Sequence, residues 1–518
     1  MPETTAPNAQ PSPPAAVSFA EALRFWLKLG FISFGGPAGQ IAIMHAELVE
    51  RRRWISERRF LHALNYCMLL PGPEAQQLAT YLGWLMHRSW GGIVAGALFV
   101  LPSLFILIAL SWIYLRFGHV PLVAGVFAGL KPAVTALVLH AAWRIGTRAL
   151  RNRWMWALAA LAFVAIFAFD VPFPAIVAAA ALIGWWGSRH APQVFAIGGG
   201  HADAKASDGP ALIDDHTPTP EHARYAHRSL VRVLAIGLAL WALAMGVLVA
   251  TQGWQGTLAQ MGWFFTKAAL LTFGGAYAVL PYVYQGAVET QQWLTAAQMI
   301  DGLALGETTP GPLIMVVAFV GFVGGWGREV LGPDALFLGG ALAATVVTFF
   351  TFLPSFVFIL AGGPLVEATH GKLGFTAPLS AITAAVVGVI LNLALFFAYH
   401  VLWPQGFAGR FDVFSALLMA AAAIALFRYK LGVVPLLAGC AAVGWRPRWP
   451  AGADSADQSR GPAPDDHSGR RKSVNSASAR SPLAAPAASS SAAPCEAPSA
   501  TAPTSTQPPA NAHTAYGR

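Results

Sequence analysis

Stretches of sixteen residues or more without an Asp, Glu, Lys or Arg recur along this chain, among them 91–115, 154–169, 171–187, 233–252, 335–361 and 373–409. A helix rises 1.5 Å per residue, so about twenty apolar residues cross the roughly 30 Å of hydrocarbon in a bilayer. Most of these stretches reach or approach that length, and several exceed what a soluble core helix needs. Only 11% of the residues are charged, against about 25% in soluble domains. The expected fold class is an all-α polytopic membrane protein.

The net charge of +9 does not point to nucleic acid, because Arg and Lys gather in short loops beside apolar segments, the pattern of cytoplasmic loops in membrane proteins. Cys67, Cys440 and Cys495 have no paired spacing, so neither a disulfide framework nor a thiolate metal site is expected. Residues 1–17 are rich in Pro and Ala, lack the order of a signal peptide, and are expected to be disordered.

Sliding the chain on itself by 239 residues aligns residues 25–81 with 264–320 without a gap, and 13 of the 57 pairs are identical. Lys28 falls on Lys267, Phe34-Gly35-Gly36 on Phe273-Gly274-Gly275, Trp54 on Trp293, and Pro71-Gly72-Pro73 on Pro310-Gly311-Pro312. After an insertion of 13 residues, Leu101-Pro102-Ser103 falls on Leu353-Pro354-Ser355. Chance likeness between apolar helices matches Leu with Leu; it does not bring Trp, Gly-Gly and Pro-Gly-Pro into one register. The chain is a duplicated module.

The copies differ in charge. The loop 51–59 holds Arg51, Arg52, Arg53, Arg58 and Arg59, whereas 285–298 has no Lys or Arg. By the positive-inside rule the first loop faces the cytoplasm and the second faces out. Thus the expectation is two inverted-topology repeats with a substrate site where they meet. An extra apolar helix near 230–252 supplies the odd span that inversion needs. Of thirteen apolar segments, the four with Gly-Gly or Pro-Gly-Pro are expected to be broken or re-entrant, which puts Arg88 and the cluster 144–153 on the cytoplasmic side. The expected layout is an N-terminus at 1–17, a first repeat at 18–188, a His-rich linker at 189–229, the extra helix at 230–252, a second repeat at 253–447, and a disordered Ala/Ser/Pro-rich tail at 448–518.

Proline breaks a helix because it lacks an N–H and clashes with the preceding turn. Unwound backbone at membrane depth survives only where it is buried in protein or lines a wet cavity. The exposed amides of a half-helix start bind anions, and glycine lets an oxyanion come close to the backbone. The plainer alternative for each motif is a kink or tight packing; four motifs paired by pseudo-symmetry favour a site. Lys28 and Lys267, each six residues before a Gly-Gly pair, are candidates to balance a dianion, with snorkelling to the headgroups as the alternative; Lys131 is a third. Glu74 and Glu307 flank the two Pro-Gly-Pro triplets and are candidate proton carriers or structural caps. Gln40, Gln76, Gln77, Thr308 and Thr309 offer neutral hydrogen bonds. The linker histidines (His190, His201, His216, His222, His227) fit no compact metal spacing and read as a solvated connector. Trp54 and Trp293 are expected at headgroup level.

The segments LGFISFGGPAGQ, LLPGPEAQQLATYLGW and ALGETTPGPLIMVVAFVGF closely resemble those of the chromate ion transporter family in its long two-domain form, from about Phe25 to Trp445. The resemblance implies an inner-membrane protein that exports chromate from the cytoplasm, driven by the proton-motive force, and so confers chromate resistance. It implies chromate and protons as partners, with sulfate or another oxyanion as the alternative substrate, and neither requires nor excludes a homo-oligomer. No cofactor and no enzymatic activity are implied; the rival from another class, a membrane-embedded oxidoreductase, finds no cofactor fingerprint here. The family's signature positions fall on Phe34, Gly35, Gly36, Pro37, Gln40, Pro71, Gly72, Pro73, Gln77, Gly274, Gly275, Pro310, Gly311 and Pro312. Ala276 stands where Pro37 stands in the first copy.

Overall fold

The computed structural model describes residues 16–34, 36–190, 211–215, 217–218, 220–369 and 376–445. The terminus 1–15, Gly35, His201, His216 and the expected tail 448–518 lie outside the described residues. Among those described, sixteen α-helices and no strands are present.

Helix α1 (Phe19–Ile32) starts at Ser18, whose hydroxyl accepts from the Glu21 amide. Its 14 residues span about 21 Å, too little to cross a bilayer. The chain breaks at Ser33 and turns back through α2 (Gly36–His45) and a π-helical turn, Ala46–Arg51. The return is fixed by Arg52, which lies 3.5 Å from Glu21 and stacks over Phe25, both on α1. Helices α1 and α2 therefore form a re-entrant hairpin with both ends on one face, the Arg-rich face.

A second hairpin follows. Ser56 caps α3 (Glu57–Cys67), the chain breaks at Pro71-Gly72-Pro73, and α4 (Glu74–Phe117) begins. Helix α4 is not one rod. His87 and Arg88 leave helical conformation, and the backbones of Gly83 and Gly91 approach so closely that a Cβ on either would collide with the other's carbonyl. His87 Nε2 meets the Val17 carbonyl at 3.0 Å, so the first limb of α4 ends beside the start of α1. Then α5 (Pro121–Ala149), α6 (Arg153–Phe169) and α7 (Phe173–His190) complete the repeat.

Helix α8 (His227–Gln252) buries only Gly237 and Met245; it runs along the outside of the bundle, with Gly237 against Val357 and Trp241 donating to Thr266. The second repeat then retraces the first: α9 (Thr257–Leu271), α10 (Ala276–Tyr284), a π-helical turn Gln285–Thr290, α11 (Ala296–Thr308), the second Pro-Gly-Pro, α12 (Val316–Gly327), α13 (Leu336–Thr369), α14 (Thr376–Leu402), α15 (Val413–Phe427) and α16 (Val433–Trp445). The match extends to fine detail. The π-turns are 239 residues apart, as are Arg53 and Gln292, both at positive φ, and the ring pairs Phe25–Trp54 (5.3 Å) and Phe264–Trp293 (5.6 Å).

Helices α4, α5, α8, α13 and α14 are long and apolar enough to cross a membrane, and large side chains such as Leu161, Phe167, Leu182, Leu238, Leu243 and Leu417 are exposed, as lipid-facing residues are. Two expectations are corrected. Trp54 and Trp293 are 4% and 6% exposed; they pack inside the hairpins against Phe25 and Phe264 rather than projecting outward as interfacial anchors. The described part of the linker is docked, not solvated: the Leu212 amide donates to the Arg53 carbonyl, Ser56 bonds both the Ile213 carbonyl and Asp215, and His222 meets the Trp84 carbonyl.

Candidate functional site at the helix breaks

The four breaks meet in two reciprocal pairs. The Gly72 amide donates to the Thr272 carbonyl at 2.7 Å, and the Gly311 amide donates to the Ser33 carbonyl at 2.8 Å. Adding 239 to Gly72 gives Gly311, and adding it to Ser33 gives Thr272. Each Pro-Gly-Pro thus closes onto the residue just before the other repeat's Phe-Gly-Gly. Unwound backbone at membrane depth is satisfied across the repeat interface, where water is not required. Gly72 and Gly311 have φ of 130° and 104°, a region other residues rarely enter, and each is pressed against a serine of the opposite repeat, Ser355 and Ser103.

Glutamines from the first repeat brace these crossings. Gln40 Nε2 donates to the carbonyls of Gly311 (2.5 Å) and Ser33 (3.3 Å). Gln77 Nε2 donates to the Pro71 carbonyl, and Gln76 Nε2 to Thr80 Oγ1. Their counterparts in the second repeat are Val279, Val316 and Met315, so the two breaks share a backbone but not a polarity. Helices α4 and α10 both start without a side-chain cap, so no side chain covers their opening amides, which are suited to face an anion.

The carboxylates gather here. A Cβ on Gly275 would lie 3.8 Å from Glu74 Oε1, so Glu74 of the first repeat ends at the head of α10 in the second. Glu307 is 5% exposed and accepts a hydrogen bond from the Tyr277 hydroxyl, two residues into α10. Arg144 on α5 acts electrostatically on both Glu74 and Glu307, although its own side chain is exposed.

Lys28 and Lys267 are elsewhere. Both are exposed, and the buried face of α1 runs through Ala22, Phe25, Trp26 and Leu29, which turns Lys28 away from it. Lys28 acts on Glu47, and Lys267 Nζ lies 5.6 Å from the Trp263 ring. Their exposure is what the snorkelling alternative expects. Phe34, Gly36, Pro37, Phe273 and Gly274 are half-buried around the breaks, while Gly275, Pro73, Pro310 and Pro312 are buried. Thr308 and Thr309 spend their hydroxyls on carbonyls one turn back.

Two ionic clusters were not read from the sequence. Lys131 Nζ pairs with Asp301 Oδ2, which also accepts from Tyr114. Glu367 accepts from Tyr81 and lies 3.8 Å from Arg59. Asp301 could have been noticed as the one acid between Glu289 and Glu307 in an apolar segment.

Two pairs of hairpins, one in each repeat and joined break to break, define a polytopic membrane protein whose broken helices meet at a shared interface, a plan used by ion and solute carriers. The profile of the chromate transporter family matches residues 20–185 and again 259–445, so the two matches coincide with the two repeats. The chain belongs to the chromate transporter family. It is 33% identical over 442 residues to a chromate transport protein of Pseudomonas aeruginosa, covering 83% of this chain and 93% of that one. It is 29% identical over 448 residues to a chromate transport protein of Cupriavidus metallidurans, covering 86% and 96%. A probable chromate transport protein of Synechococcus elongatus is 29% identical over 377 residues, covering 72% and 83%. No solved structure matches the chain.

Proposed function

We propose that this protein exports chromate from the cytoplasm across the inner membrane and thereby confers chromate resistance. The observation that carries the reading is the match, through both repeats and over 93% of its length, to a relative named a chromate transport protein. The oxyanion binds at the breaks, against the uncapped starts of α4 and α10 and the backbone of Phe34, Gly35, Gly36, Pro37, Pro71, Gly72, Pro73, Phe273, Gly274, Gly275, Pro310, Gly311 and Pro312, with Gln40 and Gln77 holding the crossings in shape. The charge of Arg144 faces this region, and Lys28 and Lys267 attract the anion from the exposed sides of their hairpins. Glu74 and Glu307 take up and release protons as the anion passes. The Arg-rich face is cytoplasmic. A dianion leaving a negative cell interior gains about 4.6 kcal/mol per 100 mV, so the electrical part of the proton-motive force favours export.

The test is chromate accumulation in everted membrane vesicles energised by respiration, with Glu307→Gln and Arg144→Ala beside the parent. Export means energised accumulation that collapses with the proton gradient, and each variant is expected to lose most of it. Accumulation only in right-side-out vesicles would reverse the direction. Preference for sulfate over chromate would make the protein a sulfate permease. Reduced chromium among the products would make it an oxidoreductase.

A further inference from the structure

Ser103 and Ser355 are 0% and 1% exposed, and neither hydroxyl has a hydrogen-bond partner. A buried serine or threonine in a membrane helix ordinarily bonds the carbonyl one turn back, as Ser33, Thr272, Thr348 and Thr351 do in this protein. Ser103 and Ser355 do not. An unpaired buried hydroxyl costs about 1–3 kcal/mol, and here the cost recurs at symmetric positions, each directly after a proline inside a helix.

Their surroundings say what they await. A Cβ on Gly311 would lie 2.8 Å from Ser103 Cβ, and one on Gly72 would collide with Ser355 Oγ. Each hydroxyl therefore stands where one repeat's Pro-Gly-Pro crosses the other repeat. Among the described residues, the other side-chain donors at the crossings are engaged: Ser33 and Thr272 with the carbonyls one turn back, Gln40 Nε2 with the carbonyls of Gly311 and Ser33, and Gln77 Nε2 with that of Pro71. Those carbonyls fix the amide orientations and leave both Oε1 atoms unpaired. Each serine hydroxyl is a donor with no bond of its own, held at the crossing beside a glycine backbone.

We infer that Ser103 and Ser355 are direct hydrogen-bond donors to the transported tetrahedral oxyanion, one at each crossing; this rests on the oxyanion-transport reading above. The neutral hydroxyls bind the anion without trapping it as a buried ammonium would, which suits a site that must also release.

The test uses the full chain with Ser103→Ala, Ser355→Ala and the double substitution, and reads chromate KM in vesicles together with the melting temperature of the purified, ligand-free protein. Each single variant is expected to raise KM about tenfold, the worth of one hydrogen bond to a charged group, and the double variant to raise it further. Because each hydroxyl is unpaired in the empty protein, its removal breaks no hydrogen bond and relieves a buried polar group, so melting temperatures should not fall below the parent's. A parental KM in both single variants overturns the inference while leaving the transport reading intact. A raised KM with a matching loss of ligand-free stability also overturns it, since the hydroxyls would then be structural. If the parent itself moves neither chromate nor sulfate, the transport reading falls and this inference with it.

Discussion

Lys131 on the first repeat lies 3.3 Å from Asp301 on the second, and the pair is lopsided: the lysine side chain is 31% exposed and the aspartate 4%. Asp301 sits on α11, which leads into the second Pro-Gly-Pro, so the contact holds a hairpin of one repeat to a crossing helix of the other. Removing one partner of a buried pair typically costs about 3–5 kcal/mol, while replacing both by apolar groups costs little. Lys131→Met strands a buried carboxylate, whereas Asp301→Asn leaves a lysine that can still reach water. Lys131→Met is therefore expected to destabilise by about 3 kcal/mol and Asp301→Asn by clearly less, with the double variant recovering most of the loss. Thermal unfolding in detergent checks the order.

The glycines of the breaks are not equivalent. Gly36 has a φ of 71° but open space around a would-be Cβ, whereas Gly72 and Gly311 combine positive φ with direct contact to a serine. Gly36→Ala should cost about 1–2 kcal/mol, the backbone penalty alone. Gly72→Ala and Gly311→Ala add overpacking of about 1–3 kcal/mol and should sharply reduce the yield of folded protein. Size-exclusion profiles of the three variants would show the difference.

The two loops that follow the first hairpin of each repeat should face opposite sides of the membrane. Single cysteines at Arg58 and Gln298 are expected to react with an impermeant maleimide from opposite sides in intact cells and everted vesicles. With Cys495 replaced by Ser, the remaining native cysteines, Cys67 and Cys440, are buried and should stay unlabelled. Labelling of both sites from one side would remove the inversion.

The docked linker should respond to acid. His222 Nε2 meets the Trp84 carbonyl at 3.0 Å, and that oxygen can only accept, so the nitrogen carries the proton. Burial, followed by the charge of Arg88, holds the imidazole pKa below its ordinary 6.5. A histidine depressed in the folded state binds fewer protons there than when released. Docking is thus at full strength above pH about 6.5 and weakens as pH falls below it. Amide exchange in 211–226 should speed up on acidification, and His222→Gln should flatten that dependence.

The duplication and all four breaks were legible because Gly and Pro act locally: their effect on a helix depends on neighbours in the chain. What the breaks touch was not, since the bond from Gly72 to Thr272 is visible only once the repeats are packed. Lys28 shows a different gap. Its apolar neighbours suggested burial, but Phe25, Trp26 and Leu29 occupy one side of α1 and leave Lys28 on another; in a membrane protein both sides are apolar, so polarity alone does not tell protein from lipid. Trp54 failed for the same reason. Arg144 was read as a marker of sidedness, and nothing in its spacing linked it to Glu74 and Glu307.

The reciprocal crossing of the breaks also orders events at the ribosome. Thr272, which must receive the Gly72 amide, is made two hundred residues after it, a delay of roughly 10–40 s at about 5–20 residues per second. Throughout that interval the newborn first half has an orphaned amide at membrane depth. The nascent chain needs a temporary guardian, in the insertion machinery or in bound water, until its sister half emerges to take over.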